Sequence, residues 1–244
     1  MWTKKTNERT RRSRVIMKMV LFDIDSTLLK DAGASNASFS RAFKEMFSVE
    51  PISIDKHGKT DPVIARETAM ATIGRDLTPA EGSQLHARYA ELLPDYLEKS
   101  GSFSVLKGVI ELCAWICSNP EYLPGIQTGN LEACAWAKLR RAHLDAFFGF
   151  GGFGSDSSDR TQLVRIAIER GRAKANNFSG GIKVFLIGDS CKDIVAGNDN
   201  GAFTIGVTTG KDRESDFVTA GASAIVRDLT AVSGVYDILN GSGK

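Results

Sequence analysis

The chain has 244 residues, of which 42% are hydrophobic and 25% are charged, and its formal net charge is +2. This composition is typical of a globular protein, and the length is sufficient for one large core plus a smaller appended domain. Apolar runs stay short of the roughly 18 residues that a membrane span requires, so we expect no membrane partner. Its four cysteines lack the CxxC spacing of metal sites, which favours reduced thiols and a cytoplasmic location.

Positive charge is concentrated at the start of the chain, where residues 1–14 contain six basic residues and one glutamate. Such a leader could bind nucleic acid or act as a targeting segment. We favour a disordered tail, or an extension ahead of a true start at Met17 or Met19, because charge runs are usually solvated. We therefore expect no nucleic-acid partner.

Residues 20–29 are an apolar run that is interrupted by two carboxylates, Asp23 and Asp25, and two hydroxyl residues, Ser26 and Thr27. A buried strand would deliver both carboxylates to its C-terminal end with their side chains on the same side. Two close carboxylates are costly unless a cation or a shared proton relieves them, so such a pair is usually functional. The alternative is a strand that ends in a solvated acidic turn.

Residues 31–104 carry only helical patterns. Apolar side chains within residues 39–47 follow helical spacing, and a second helix is predicted with Asp61 as its N-cap. A third helix is predicted to begin at Thr78 with a capping box, and Pro94 should kink or break it. This block is predicted to be an all-helical insertion.

Strand and helix patterns alternate on either side of the insertion, as in an α/β sheet with crossover helices. In parallel sheets of this kind, ligands bind beyond the carboxyl ends of the strands. The side chains at or just after such ends are Asp23, Asp25, Thr128, Asp189 and Asp193. Clustered carboxylates without His or Cys suit a hard cation, with Mg²⁺ as the first candidate. Thr128 and the nearby Asn130 would donate hydrogen bonds to phosphate oxygens.

In this order the motifs resemble those of the haloacid-dehalogenase-like superfamily, in its phosphoglycolate-phosphatase-like branch with a helical cap. The resemblance rests on the segments 23–28, 128–130 and 188–193 and covers residues 16 to about 230. It implies an α/β fold, in which a Rossmann-like parallel sheet core carries an inserted all-helical cap domain.

The implied domain organisation has three parts. Residues 1–14 form the leader, residues 15–30 and 105–244 form the core, and residues 31–104 form the cap. The resemblance implies a mobile cap, whose closure would exclude water and select the substrate.

The resemblance also implies a two-step phosphoryl transfer. Asp23 would be the nucleophile that forms an aspartyl-phosphate, and Asp25 would be the general acid and base. Thr128 would bond a transferring phosphoryl oxygen. Mg²⁺ would be held by Asp23, the backbone carbonyl of Asp25 and Asp189, with Asp193 as a ligand or as support.

Further residues are candidates for substrate binding. Ser26, where the family commonly has glycine, and Thr27 follow the first motif, and Asn130 follows the second. Lys59 and Thr60 occupy the cap position where relatives place substrate-contacting residues.

The third motif departs from the family pattern, which has a lysine there. Residues 157–161 contain none, and Arg160 is our candidate for the phosphate-stabilising cation, although arginine is not a geometric equivalent of lysine. The alternative is that Arg160 is a surface residue at the start of a helix. Lys138 is a more distant candidate, because it falls two turns into a helix and away from the strand end.

We therefore predict a Mg²⁺-dependent phosphatase, monomeric or homodimeric, acting on a small phosphomonoester of the phosphoglycolate, sugar phosphate or nucleotide type. A sugar phosphomutase is one alternative on the same scaffold. A phosphonatase is another, with Lys44, Lys56 or Lys59 as the lysine that forms a Schiff base. A binding or regulatory protein with weak catalysis is the alternative from another class.

Overall fold

The computed structural model of the protein describes residues 16–175, 178 and 180–241, so the predicted basic leader lies outside the described residues. The strands, in chain order, are β1 (Ile16–Phe22), β2 (Leu29–Lys30), β3 (Ser104–Val105), β4 (Tyr122–Gln127), β5 (Gly151–Gly152), β6 (Gly181–Gly188), β7 (Phe203–Val207) and β8 (Ala224–Val226). The helices are α1 (Ala34–Phe47), α2 (Asp61–Ile73), α3 (Pro79–Lys99), α4 (Val109–Ser118), α5 (Glu132–Arg141), α6 (Arg160–Lys174), α7 (Cys191–Asp199), α8 (Glu214–Thr219) and α9 (Val235–Asn240).

Six strands of the described chain form one parallel sheet in the order β5-β4-β1-β6-β7-β8. β1 lies in the interior of the sheet between β4 and β6. The N–H of Asp23 donates to the carbonyl of Ile187 at 3.0 Å, so β1 and β6 end side by side. The residues that follow both strands therefore meet at one edge of the sheet.

Helices cover both faces of this sheet, and the side chains of β1 alternate between them. Val20 and Phe22 belong to an apolar cluster with residues of α4, α5 and α9. Met19 and Leu21 belong to a second cluster with residues of α6 and α7. The predicted α/β fold with a Rossmann-like parallel sheet is confirmed.

Helices α1, α2 and α3 form a separate helical layer between β2 and β3. β2 and β3 pair antiparallel, so the chain enters and leaves this layer at adjacent points. The apolar cluster of the layer also includes Leu131, Cys134 and Ala137, at the start of and within α5. The helical layer therefore packs on α5 and shares a core with it.

One boundary prediction in this layer is wrong, and another is wrong in part. Thr60, not Asp61, is the N-cap of α2, because the carboxylate of Asp61 accepts a hydrogen bond from the N–H of Leu131 at 2.9 Å instead of capping its own helix. Of the two effects predicted for Pro94, a kink or a break, the break is absent, because Pro94 lies inside α3. Leu93 and Leu97 on either side of it are buried, and this packing offsets the lost backbone hydrogen bond, which costs about 3 kcal/mol.

Within the described residues, no helix is both long enough and apolar enough to cross a membrane.

Candidate active site

Three buried carboxylates meet where β1 and β6 end. Asp23 follows β1, Asp189 follows β6, and Asp193 lies in the first turn of α7, where it closes a capping box with Ser190. Each of the three offers one oxygen within 4.8 Å of the others. A Cβ at Gly210 would lie 1.9 Å from Oδ2 of Asp189, so only glycine fits beside this carboxylate.

Burial disfavours the charged forms of these three carboxyl groups, and their proximity adds to this effect at Asp23 and Asp189. Burial raises the pKa of Asp23 well above its usual range; the charge of Asp193 adds to this effect, and Arg160 opposes it. Burial, with the charges of Asp193 and Asp25, raises the pKa of Asp189 to about 7. The group is therefore short of positive charge when all its carboxylates are ionised.

Arg160 supplies the positive charge that lies against these carboxylates. It is the first residue of α6, and its Nη1 contacts Oδ1 of Asp193, lies 3.6 Å from Oδ1 of Asp23 and lies 3.4 Å from Oε1 of Gln127. Its side chain is 11% exposed. The alternative that Arg160 is a surface residue is wrong, because its guanidinium points into the carboxylate group.

Asp25 is held by a different set of residues on the other side of the cavity. Nζ of Lys138 lies 2.8 and 2.7 Å from its two carboxylate oxygens, and Nδ2 of Asn130 donates to Oδ2 at 2.7 Å. Asn130 also donates to Oγ1 of Thr128 at 2.8 Å. The amide of Asn130 thus positions Asp25 and Thr128, a different use from the predicted donation to phosphate.

Lys138 was expected to lie away from the strand ends, and that expectation is wrong. Its Nζ reaches Asp25 because the residue lies on the buried face of α5, together with Cys134 and Leu139. Burial alone would lower the pKa of Lys138, but the charges of Asp25 and Asp31 raise it above the ordinary value. A lysine at an apolar position of a helix was visible in the sequence and could have signalled this role.

These residues line a cavity of about 330 Å³ between the sheet edge and the helical layer. Of the predicted substrate-binding residues, Ser26, Asn130 and Lys59 line it, with Nζ of Lys59 2.5 Å from Glu67. Thr27 and Thr60 instead face protein groups: Oγ1 of Thr27 lies 3.5 Å from Asp189, and Oγ1 of Thr60 donates to the carbonyl of Ser158 at 3.3 Å.

Ser26 has a φ of 60°, in the left-handed region. A residue with a side chain is strained there. This conformation explains why glycine suits the position.

The helical layer also supplies Lys56, a predicted candidate for a Schiff base, and three cavity residues with no predicted role in the site, Asp31, His57 and Asp61. Its segment 55–61 docks on the core through several contacts. Nε2 of His57 lies 2.8 Å from Asp212, and the N–H of Asp61 donates to the carbonyl of Gly129 at 2.8 Å.

The comparison with protein families agrees with this arrangement. The family model described as haloacid dehalogenase-like hydrolase matches residues 20–207, which is well over half of the chain. The chain belongs to the haloacid dehalogenase-like hydrolase family. No curated protein sequence matches this hydrolase.

Solved structures share the fold of the hydrolase over nearly their whole length. A candidate β-phosphoglucomutase from Bacteroides vulgatus is 18% identical with a TM-score of 0.66, covering 94% of this chain and 91% of the other. A predicted phosphoglycolate phosphatase from Haemophilus somnus is 16% identical with a TM-score of 0.67, covering 93% and 98%. A hydrolase from Pseudomonas syringae is 19% identical with a TM-score of 0.67, covering 91% and 99%.

The donor set at the sheet edge fits a hard divalent cation. The three carboxylates offer only oxygen ligands, which Mg²⁺ prefers. Burial raises the pKa of all three carboxyl groups, and repulsion between the carboxylates adds to this effect at Asp23 and Asp189. A bound cation would supply positive charge that offsets this repulsion.

Mg²⁺ should therefore stabilise the folded protein measurably in the absence of any substrate. At 100 times its dissociation constant, a ligand of the native state adds about 2.7 kcal/mol to the free energy of unfolding. Asp189→Asn should lose most of this gain in thermal melts with and without Mg²⁺, whereas the exposed control Asp237→Asn should keep it. An equal Mg²⁺ response in Asp189→Asn would contradict this site.

Asp61 should give the folded protein a pH dependence of stability. Burial raises its pKa from 3.8 to about 6, so the folded state binds a proton more tightly than the unfolded chain does. This group therefore destabilises the fold above pH 6, and stability is regained as the pH falls from about 6 towards 4. The measurement is the free energy of unfolding in urea at pH 5 and pH 7.5.

In that measurement, Asp61→Asn should be more stable than the wild type at pH 7.5, with a smaller difference at pH 5. Asparagine keeps an oxygen that can accept from the N–H of Leu131. Asp95→Asn, an exposed change in α3, is the matched control and should leave the pH dependence unchanged. Equal effects of Asp61→Asn at both pH values would refute the prediction.

Proposed function

We propose that the protein is a Mg²⁺-dependent phosphatase that hydrolyses a small phosphomonoester through an aspartyl-phosphate intermediate. The observation that carries this proposal is the placement of Asp23 and Asp25 in one cavity with Thr128 and Arg160. These residues supply a nucleophile, an acid and base, and two donors for phosphoryl oxygens. The family membership supports a hydrolase, and the site chemistry supports phosphoryl transfer.

In the first step the carboxylate of Asp23 attacks the phosphorus of the substrate. A bond forms between phosphorus and Asp23, the bond to the leaving oxygen breaks, and Asp25 gives its proton to that oxygen. Arg160, whose Nη1 lies 3.6 Å from Asp23, would neutralise charge on the transferring group. The hydroxyl of Thr128 has no acceptor among the described residues, so it is free to donate to a phosphoryl oxygen.

In the second step a water molecule attacks the phosphorus of the aspartyl-phosphate. Asp25 takes the proton of that water, and the bond between phosphorus and Asp23 breaks to release phosphate. The side chain of Asp25 is 43% exposed, so it can reach both the leaving oxygen and the water from the cavity.

Asp23, Asp189 and the backbone carbonyl of Asp25 would hold Mg²⁺, and Asp193 would support them. Both oxygens of Asp193 already accept hydrogen bonds: Oδ1 from Gln127 at 2.8 Å and Oδ2 from the N–H of Ser190 at 3.2 Å. When bound, Mg²⁺ reduces the repulsion between the nucleophilic carboxylate and the phosphate.

We assign residues 31–104 as a cap over a core of residues 15–30 and 105–244. The cap segment 55–61 closes one side of the cavity, which would exclude water from the phosphoryl group. A cavity of about 330 Å³ suits a small phosphomonoester. The same chemistry is compatible with a phosphomutase if the cap returns the phosphate to the product.

A phosphonatase is a second candidate, and Lys56 is the observation that favours it. Lys56 lines the cavity, and burial lowers its pKa, as a Schiff-base amine requires. Lys56 donates to Oδ1 of Asn36 at 2.8 Å, whereas the other two candidate lysines pair with carboxylates, Lys44 with Glu50 at the surface and Lys59 with Glu67. Borohydride trapping of a carbonyl-containing phosphonate on Lys56 would distinguish this reaction from phosphomonoester hydrolysis.

Asp23→Asn should abolish turnover because it removes the nucleophile. We expect a loss of at least about 10³-fold in kcat on every active member of a phosphomonoester panel, and a similar loss when Mg²⁺ is removed by chelation. The exposed change Asp95→Asn should behave as the wild type. If neither Asp23→Asn nor chelation alters turnover, the phosphatase proposal is wrong.

Arg160→Ala should lower kcat by about 10²–10³-fold, because a charge directed at the transferring group is lost. Arg160→Lys should recover part of this loss. Arg165→Ala, on the exposed face of the same helix, is the matched control. Steady-state kinetics of the three variants test this role, and unchanged kcat in Arg160→Ala would remove Arg160 from the mechanism.

A further inference from the structure

Lys138 is a buried cation whose three ammonium hydrogens all donate hydrogen bonds within the protein. Its side chain is 2% exposed, and its Nζ donates to both oxygens of Asp25 and to Oδ1 of Asn130 at 2.8 Å. An ammonium group has three donors, so none remains for a ligand. Lys138 therefore acts through its neighbours and not on a substrate.

Lys138, Asn130 and Asp25 form a closed set of hydrogen bonds. Asn130 accepts from Lys138 through its oxygen and donates to Asp25 at 2.7 Å through its nitrogen. Its second amide hydrogen goes to Thr128 at 2.8 Å. The carboxylate of Asp25 is thus held from the protein side and is open only towards the cavity, so its rotation is restricted.

The same ammonium group also links this set to the helical layer. Nζ lies 3.7 Å from Oδ2 of Asp31, which precedes α1, and the charge of Asp61 at the start of α2 also stabilises the protonated lysine. Lys138 itself is on α5, the helix that shares an apolar cluster with that layer. The position of Asp25 therefore depends on how the helical layer sits on α5.

We propose that Lys138 is a positioning residue that fixes the carboxylate of Asp25 where it exchanges protons with the leaving oxygen and with water. This inference rests on the proposed function, because it assigns Lys138 a part in the same two steps. At metal sites, the partners that orient the ligands commonly change activity by about 10–100-fold when mutated, and we expect an effect of this size here. General acid and base catalysis as a whole contributes about 10²–10⁴-fold.

Formation and hydrolysis of the aspartyl-phosphate depend differently on Asp25, and the test measures this difference. An aryl phosphate with a weakly basic leaving oxygen needs no proton for the P–O bond to break, so Asp23 is phosphorylated rapidly even if Asp25 is misplaced. Release of phosphate still needs Asp25 to take a proton from water. Losing Lys138 should therefore slow the second step selectively, and the aspartyl-phosphate should accumulate.

The experiment compares the wild type with Lys138→Met, which keeps the apolar stem. We expect kcat on an alkyl phosphate to fall about 10–100-fold with KM within about threefold. With the aryl phosphate, rapid-quench measurements should show a burst of phenol and a covalent phosphoenzyme. Arg140→Met removes a charge from the exposed face of the same helix and should show neither effect.

Two further variants keep the test decisive. Asp25→Asn combined with Lys138→Met should be no slower than Asp25→Asn alone, because residues acting as a unit are not additive. If Lys138→Met fails to fold, Lys138→Met with Asp31→Asn retains the net charge of the buried group and replaces it in the assays.

The outcomes separate this inference from the proposed function. If the wild type shows no turnover that depends on Asp23, the phosphatase proposal is wrong, and the role of Lys138 is wrong with it. If the wild type is active, three results would overturn the positioning role alone. One is an additive loss in the variant that combines Asp25→Asn with Lys138→Met. The others, both for Lys138→Met, are a raised KM at unchanged kcat, and equal slowing of both steps without a burst.

Discussion

The dominant constraint in this protein is the crowding of negative charge at the carboxyl edge of its sheet. Asp23, Asp189 and Asp193 are buried within 4.8 Å of one another, and Arg160 is the cation placed against them. Much of the local structure serves to hold this group, including the capping box at Ser190. Such an arrangement is unfavourable for folding alone, which is why it points to a ligand that brings positive charge.

A second charged group, centred on Lys138, lies across the cavity from the carboxylates of Asp23, Asp189 and Asp193. The two groups have different proposed tasks. The first group is short of positive charge, whereas Lys138 is surrounded by enough carboxylates to stay protonated. Asp23, the proposed nucleophile, thus lies where a cation can be bound, while Asp25 is held by a cation belonging to the protein. This separation gives two carboxylates on one strand end different environments and different proposed tasks.

Much of this arrangement could be predicted from the sequence because it depends on local rules. The apolar runs of β1 and β6 and the apolar face of α1 follow directly from the order of residues. Other features depended on partners distant in the chain. The carboxylate of Asp61 accepts from the N–H of Leu131 instead of capping its own helix, and the hydroxyl of Thr60 donates to the carbonyl of Ser158. Pro94 is tolerated because its helix packs on a core.

The sequence alone determined the α/β fold and the strand ends that carry Asp23, Asp25, Thr128 and Asp189, because parallel strands bring such residues together whatever the loops do. It also named Arg160 without settling where its side chain goes. Only the tertiary structure decided that Arg160 points inward and that Lys138 reaches Asp25. Both outcomes depend on how helices α5 and α6 pack against the sheet, and packing between elements far apart in the chain leaves no local pattern in the residues themselves.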